Sequence, residues 1–499
     1  MLRVTRAILA CCFFSGILAG AAIPLRAQAP EPIPHPAAPD AITYLPPGKE
    51  AYLRFASEIE AMLHKDVLDV WFPRSVDNVH GGFQSNFARD WQPTKSDGKF
   101  SVFQGRMTWI AAQAALRRPE LRAQYLPYVR HGVEYLENVL WDKRYGGFYW
   151  GLDDEGKTSP AFSDNKHLYG ISFCIYGLAS AYQADHDPKA LALAQDAFRW
   201  TEKHAHDAGN GGYFEWLRRD GTAMQAQPYD PVIRTVPPAD FPIGYKSMNT
   251  HIHLLEAYTQ LYAVWKDETL RQRLQELLHV VRDKVTVEPG VMSLYFTNDW
   301  RAIPDHDSYG HDIEAAYLMH EAAEALGHPE DVRTARVSKM MVDHSLAYGW
   351  DEARGGIYHS GPFAGPPDDL LKEWWVEMES LNTFLLMHEI YGAHTDIYWK
   401  AFQKQLQFIE KYQIDPDFHG DYELIRPDGS PTGTTKGRIW KAAYHDGRAF
   451  LNVSERLRRM ADVPISGVIL KLESHSAEQK DMPTAGCGVL GLKRWARLP

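Results

Sequence analysis

The chain has 499 residues, 45% hydrophobic and 23% charged, a balance that suits a large globular core and excludes a disordered or fibrous protein. Its net charge of −11 comes with no basic face, which excludes nucleic acid and anionic lipid as natural partners. Past the first 30 residues no stretch approaches the roughly 20 apolar residues of a membrane span, so the mature protein is expected to be soluble.

The N-terminus reads as an export leader. Arg3 and Arg6 precede an apolar run from Ala7 to Ala22, and Ala27-Gln28-Ala29 fits a cleavage site. Residues 1–29 are therefore expected to be a signal peptide and the protein periplasmic or secreted. Cleavage removes Cys11 and Cys12 and leaves Cys174 and Cys487, too few and too far apart for a disulfide framework. Residues 30–48 are proline-rich and read as an extended spacer.

From residue 49 a repeat governs the chain. A glycine-rich hairpin signal recurs as HGGFQSNF, YGGFYWGLDDEG, NGGYFEWLRRDG, RGGIYHSG and HGDYELIRPDG. An aspartate precedes each at a fixed offset: Asp77, Asp142, Asp207, Asp351 and Asp415, separated by 65, 65, 144 and 64 residues. The long interval hides a degenerate copy, PGVMSLYFTNDW after Gly290, which makes six units.

Between hairpins two kinds of helical pattern alternate. Asp267–Val285 is amphipathic, with Leu270, Leu274, Leu277, Leu278 and Val281 at helical spacing, whereas Lys246–Trp265 is apolar nearly all round. Six outer and six inner helices predict an all-α (α/α)6 barrel over residues 49–461 with the hairpins at one end. The tail, 462–499, lacks the repeat and reads as a poorly ordered appendage.

The inner helices are predicted within QGRMTWIAAQAALR, NKHLYGISFCIYGLASAY, SMNTHIHLLEAY, SYGHDIEAAYLMHEAAEAL, EWWVEMESLNTFLLMHEIY and GRIWKAAYHDGRAFL. Their first turns carry Arg106, Asn249, His253, His311, Glu314 and His445, which predicts a polar pocket at the barrel mouth. Asn249 and His253 share a helix face, while His251 is two residues from His253 and cannot join it in a metal ligand sphere. His311 and Glu314 are three apart, so the carboxylate is expected to orient the imidazole; His445 and Arg448 stand in the same relation. Trp374, Trp375 and Trp440 offer flat faces for a sugar ring. Histidines with an arginine suit proton abstraction beside a carbonyl, whereas a glycosidase on this barrel needs two opposed carboxylates, for which Glu377 and Glu379 are the best candidates.

At MNTHIHLLEAYTQLY, SYGHDIEAAYLMHEAAEALG, KEWWVEMES and WKAAYHDGRA the chain resembles the N-acylglucosamine 2-epimerase superfamily, and within it the cellobiose 2-epimerase branch. The resemblance covers roughly residues 49–460. It implies a monomer or weak dimer that acts on a reducing sugar without metal or redox cofactor. It further implies that His311 and His445 exchange the C2 proton through a cis-enediolate, with His253 assisting ring opening and Glu314 supporting His311. Arg106 and Asn249 would bind sugar oxygens, and the three tryptophans would form the platforms. Where that branch usually reads WWPQAEA this chain reads WWVEMES, so Glu377 is expected to add negative charge, and Met378 bulk, beside the substrate. A leader is unusual in a family of mostly intracellular members. Rival readings are an N-acetylglucosamine 2-epimerase, a mannose-type aldose–ketose isomerase, an (α/α)6 glycoside hydrolase or polysaccharide lyase, and a non-catalytic sugar-binding barrel.

Overall fold

The computed structural model describes residues 41–225, 235, 236 and 239–462. The expected leader, most of the spacer and the tail past residue 462 lie outside the described residues. Among the described residues, twelve long helices alternate between two rings. The outer ring is α1 (Lys49–Met62), α3 (Arg122–Tyr135), α5 (Pro188–His204), α7 (Glu268–Val280), α9 (Val332–Tyr348) and α11 (Ile397–Phe408). The inner ring is α2 (Ser101–Arg117), α4 (Leu168–Asp185), α6 (Met248–Val264), α8 (Tyr309–Ala325), α10 (Trp374–Tyr391) and α12 (Tyr444–Asp462). Consecutive inner helices pack together and α12 closes on α2, while each outer helix lies against inner ones, α1 against α12 included. The fold is the expected (α/α)6 barrel. No helix among the described residues is long and apolar enough to cross a membrane.

Helix composition explains the rings. On α7 the buried residues include Leu270, Leu274, Leu277 and Leu278, one stripe, as the spacing predicts. On α4 every residue from Leu168 to Ala181 is buried. Inner helices α2 and α4 pack closely: a Cβ on Gly105 would lie 2.4 Å from the Phe173 carbonyl oxygen.

The six hairpins follow the outer helices, four of which run first into a wider π turn (Leu63–Leu68, Leu136–Leu140, Val281–Val285 and Ile409–Gln413). In five hairpins the aspartate does two jobs. One oxygen of Asp77 accepts the backbone N–H groups of Val79 and His80, and its other oxygen takes the Lys99 ammonium at 2.7 Å. The same pairing joins Asp142 to Lys166, Asp207 to Lys246, Asp351 to Lys372 and Asp415 to Lys436, with every ammonium essentially fully buried. The turn that wraps the aspartate needs two consecutive positive φ angles, which explains the glycine pairs; in the hairpin of Asp415, His419 takes the first of them. In four of the units the clasped lysine lies two residues ahead of an inner helix, in a two-residue strand that pairs with the following hairpin. The degenerate copy is also a hairpin, Thr286–Val287 paired with Val291–Met292, without the aspartate.

One expectation needs correcting. The segment GRIWK does not open the last inner helix. It forms a turn closed by Lys441 N–H donating to the Arg438 carbonyl, pinned because the Lys441 ammonium donates to the Asp421 and Lys436 carbonyls. Helix α12 therefore starts at Tyr444, and Trp440 sits on the loop before it.

Removing one partner of a buried clasp leaves the other charge unpaired. Lys372→Met is expected to cost about 3–5 kcal/mol, and adding Asp351→Asn to recover part of it, as read from urea unfolding. Lys99 and backbone N–H groups hold Asp77 at about 2 against the upward push of burial. Because the folded value lies below the unfolded one, that stabilisation is complete above pH ~4 and lost as pH falls towards 2, which acid unfolding of Lys99→Met against wild type would register.

Candidate active site

A cavity of about 580 Å³ opens at the hairpin end of the barrel. Its wall includes Arg106, Asn249, His253, His311, Glu314, Trp374, Trp375, Trp440 and His445, nine of the ten residues expected there. A pattern invisible in any single segment explains the convergence. Arg106, His253, Glu314 and Glu379 are each the sixth residue of their inner helix and Arg448 is the fifth, so the barrel's pseudo-symmetry stacks them in one inward-facing layer.

The centre of that layer is Arg448, 1% exposed. Its guanidinium donates to Glu256, to Glu314 and, at 2.6 and 3.1 Å, to Glu379. The Tyr444 hydroxyl donates to Glu256. Glu314, Glu379 and His445 converge tightly enough to resemble a metal ligand set, but the guanidinium supplies the cation among those carboxylates. One arginine cannot balance three buried carboxylates, so the cluster retains protons. Burial pushes Glu379 up to about 8, opposed by Arg448 and assisted by Glu314. Glu256 is held at about 2, where Arg448 and His253 outweigh its burial.

Two histidines ride on this cluster. His253 Nδ1 lies 2.9 Å from Glu256, and His445 Nδ1 lies 2.7 Å from Glu379. Burial, then the positive charges of Arg106 and Arg448, hold His445 well below its ordinary value, so its imidazole is neutral. With Nδ1–H donated to Glu379, the Nε2 lone pair is left for the cavity. His311 is likewise pushed well down, by burial and then by His253. Its Nδ1 meets the Ser308 hydroxyl at 2.7 Å. Because a hydroxyl both donates and accepts, Ser308 can serve either tautomer of His311.

The expected support of His311 by Glu314 is not formed. Glu314 turns to Arg448 because an unpaired buried guanidinium is costlier than an imidazole satisfied by a hydroxyl. Glu377 is corrected too: it lies outside the cavity wall, fully buried, accepting from Ile357 N–H and the Gln405 side chain. It is the fourth residue of α10, and the fourth residues of α2, α6 and α8 do the same work. Gln104 accepts from Phe83 N–H, His251 from Tyr213 N–H and Asp312 from Met292 N–H. Residues at this level tie the hairpin to the helix, which also explains why His251 points away from His253. Met378, expected beside the substrate, is fully buried in the core and absent from the cavity wall.

Arg106 donates to the Tyr169 hydroxyl at 3.0 Å and to the Trp440 carbonyl at 3.2 Å, and it lies over the Phe173 ring. Asn249 keeps a carbonyl oxygen without a protein partner in the cavity wall. The Trp375 ring lies 4.6 Å from His311 and 5.7 Å from His445, between the two imidazoles. Trp374, 2% exposed, is part of the cavity wall. Reading the sequence missed Glu256, Ser308 and the central place of Arg448; the sixth-residue layer was the signal that could have found the last.

If Glu377 is a hairpin tie, Glu377→Ala strands a buried N–H and a side-chain amide and should cost about 1–3 kcal/mol by thermal or urea unfolding. Its sugar affinity, by calorimetry, should stay at wild type; a large loss would place the residue at the substrate after all.

The profile of the family described as N-acylglucosamine 2-epimerase (GlcNAc 2-epimerase) matches residues 81–447. The cellobiose 2-epimerase of Bacteroides fragilis is 30% identical over 402 residues, covering 78% of this chain and 96% of that protein. Its Ruminococcus albus counterpart is 30% identical over 415 residues, covering 80% and 98%. The structure of cellobiose 2-epimerase from Spirochaeta thermophila superposes with a TM-score of 0.72 at 28% identity, covering 82% and 98%. With the family profile spanning residues 81–447, most of the barrel, the chain belongs to the N-acylglucosamine 2-epimerase family.

Proposed function

We propose that the protein is a sugar 2-epimerase that inverts C2 of the reducing-end glucose or mannose of a β-1,4-linked disaccharide such as cellobiose. The observation that carries this reading is the pair His311 and His445: two neutral imidazoles on different inner helices, both packed on Trp375 and both lining one cavity. A base that starts neutral can take a carbon-bound proton, and a second on another wall can return one to the opposite face.

The chemistry follows from what each residue can do. His253, charge-coupled to Glu256, assists ring opening to the free aldehyde. One of His311 and His445 removes the C2 proton, leaving an enediolate whose developing negative charge lies near Arg106. Rotation about C2–C3 presents the other face, and the second imidazole, having taken a proton from solvent, delivers it to C2 while the first releases the abstracted proton to solvent. Asn249 binds a sugar oxygen, Trp375 and Trp440 receive the ring faces, and the cavity is within the roughly 300–1,000 Å³ common for small-molecule sites. Residues 49–461 act as one catalytic unit, and the leader-like first 29 residues support export to the periplasm or beyond. A hydrolase reading is disfavoured because Glu377 and Glu379, its candidate pair, face a hairpin and Arg448 respectively.

Incubation with cellobiose in D2O should give glucosylmannose carrying deuterium at C2, read by NMR and mass spectrometry. Free glucose as the product would move the protein to the hydrolases, and a ketose would make it an isomerase. His311→Ala and His445→Ala should each lower exchange by about 10²–10⁴-fold; wild-type exchange in either would overturn the pair. Because both imidazoles are depressed, they stay neutral well below pH 6.5. The acid limb of kcat/KM should therefore fall below that value, where an ordinary histidine would place it.

A further inference from the structure

The degenerate unit breaks the charge rule of the others. Lys99, Lys166, Lys246 and Lys372 each stand two residues before an inner helix, and each buries an ammonium in a hairpin. At the same offset before α8 the chain has Asp307. An acid sits in a cation's place, and the hairpin it should meet has no aspartate.

What surrounds Asp307 is a second acid and an imidazole. Asp312 and His344 bring ligand atoms within 4.8 Å of it and of each other, all three residues being buried. His344 Nδ1 lies 3.3 Å from Asp307, an ion pair whenever the imidazole is protonated. Apart from that contact, both carboxylate oxygens of Asp307 and the second oxygen of Asp312 are buried without a hydrogen-bond partner. Asp307 is fully buried, and an unsatisfied carboxylate there is expensive unless something positive answers it.

The remaining atoms of the three side chains are already held in the orientation a metal ligand needs. His344 Nε2–H donates to the Phe363 carbonyl, so Nδ1 is the ring nitrogen that faces the acids. Asp312 receives Met292 N–H on its first oxygen and turns the second inward. Asp307 is fixed by paired backbone hydrogen bonds with Gly361. Tyr309, whose hydroxyl is buried and unpartnered, packs near the His344 ring.

We propose that Asp307, Asp312 and His344 bind a divalent metal ion of the zinc class, which takes the structural place of the lysine ammonium in this unit. One imidazole nitrogen with two carboxylate oxygens in a compact buried pocket suits zinc, whereas magnesium keeps a water shell for which burial leaves little room. The fourth position falls to the Tyr309 hydroxyl or a water. The ion would anchor the turn that carries Ser308 and, three residues on, His311. Its role is structural, and the inference stands apart from the sugar chemistry proposed above.

The test is metal content and binding on the full chain without a histidine tag. After chelator treatment and dialysis, zinc titration by calorimetry should show about one tight ion per chain and raise the melting temperature. Asp307→Asn and His344→Gln should each lower that stoichiometry at least tenfold, while His445→Ala keeps it, which separates this site from the catalytic cluster. If Asp307→Asn does not fold, zinc X-ray absorption on the wild type decides: one imidazole with oxygen ligands supports the site, and several imidazoles or sulfur overturn it. Failure of the wild type to take up zinc, or uptake that survives His344→Gln, would also overturn it.

Discussion

Each of five hairpins is closed around an aspartate whose second oxygen receives a buried lysine ammonium, and the orientation of the inner helices depends on that pairing. An ammonium out of water tolerates little displacement from its carboxylate. In four units the lysine is two residues from the first turn of a helix, so fixing it fixes where the fourth to sixth residues point. The fourth residue of four inner helices then reaches back to the hairpin, and the sixth faces the axis. A pocket of chemically diverse residues thus arises from one repeated geometry.

Arg448 carries the same logic to the axis. One guanidinium between Glu256, Glu314 and Glu379 leaves an excess of carboxylate, and that excess sets the protonation of what surrounds it. Glu379 rises and Glu256 falls, so the two histidines they touch sit in different fields. His311 stands on another inner helix with the Ser308 hydroxyl as its hydrogen-bond partner. The two imidazoles assigned to proton transfer are therefore not equivalent: one is braced by a carboxyl group, the other by a reversible hydroxyl. An epimerase must run in both directions, and in the proposed mechanism that difference in bracing gives each face its own base.

Much of this was legible in the chain. The aspartate–glycine period announced six units, and the alternation of amphipathic and apolar helices announced two rings, because period and hydrophobic pattern are local properties. Arg106, Asn249, His253, His311, Glu314 and His445 could be picked out because polar residues early in apolar helices are rare and costly unless used. Partners could not be read in the same way. His311 and Glu314 are near in sequence and yet part, since Glu314 answers to a guanidinium 134 residues away. Glu377 has the chemistry of a substrate ligand, but its place as fourth residue turns it to a hairpin.

The sequence by itself determined the barrel, its six units, the pocket end and most of the pocket's residues, since repeat spacing and helical periodicity act through neighbours along the chain. Only the tertiary structure decided which charges pair, which imidazoles are neutral, that Trp375 lies between His311 and His445, and that Asp307 stands where a lysine should. Those outcomes depend on burial and on electrostatic contacts between residues far apart in the chain, and neither is written in local order.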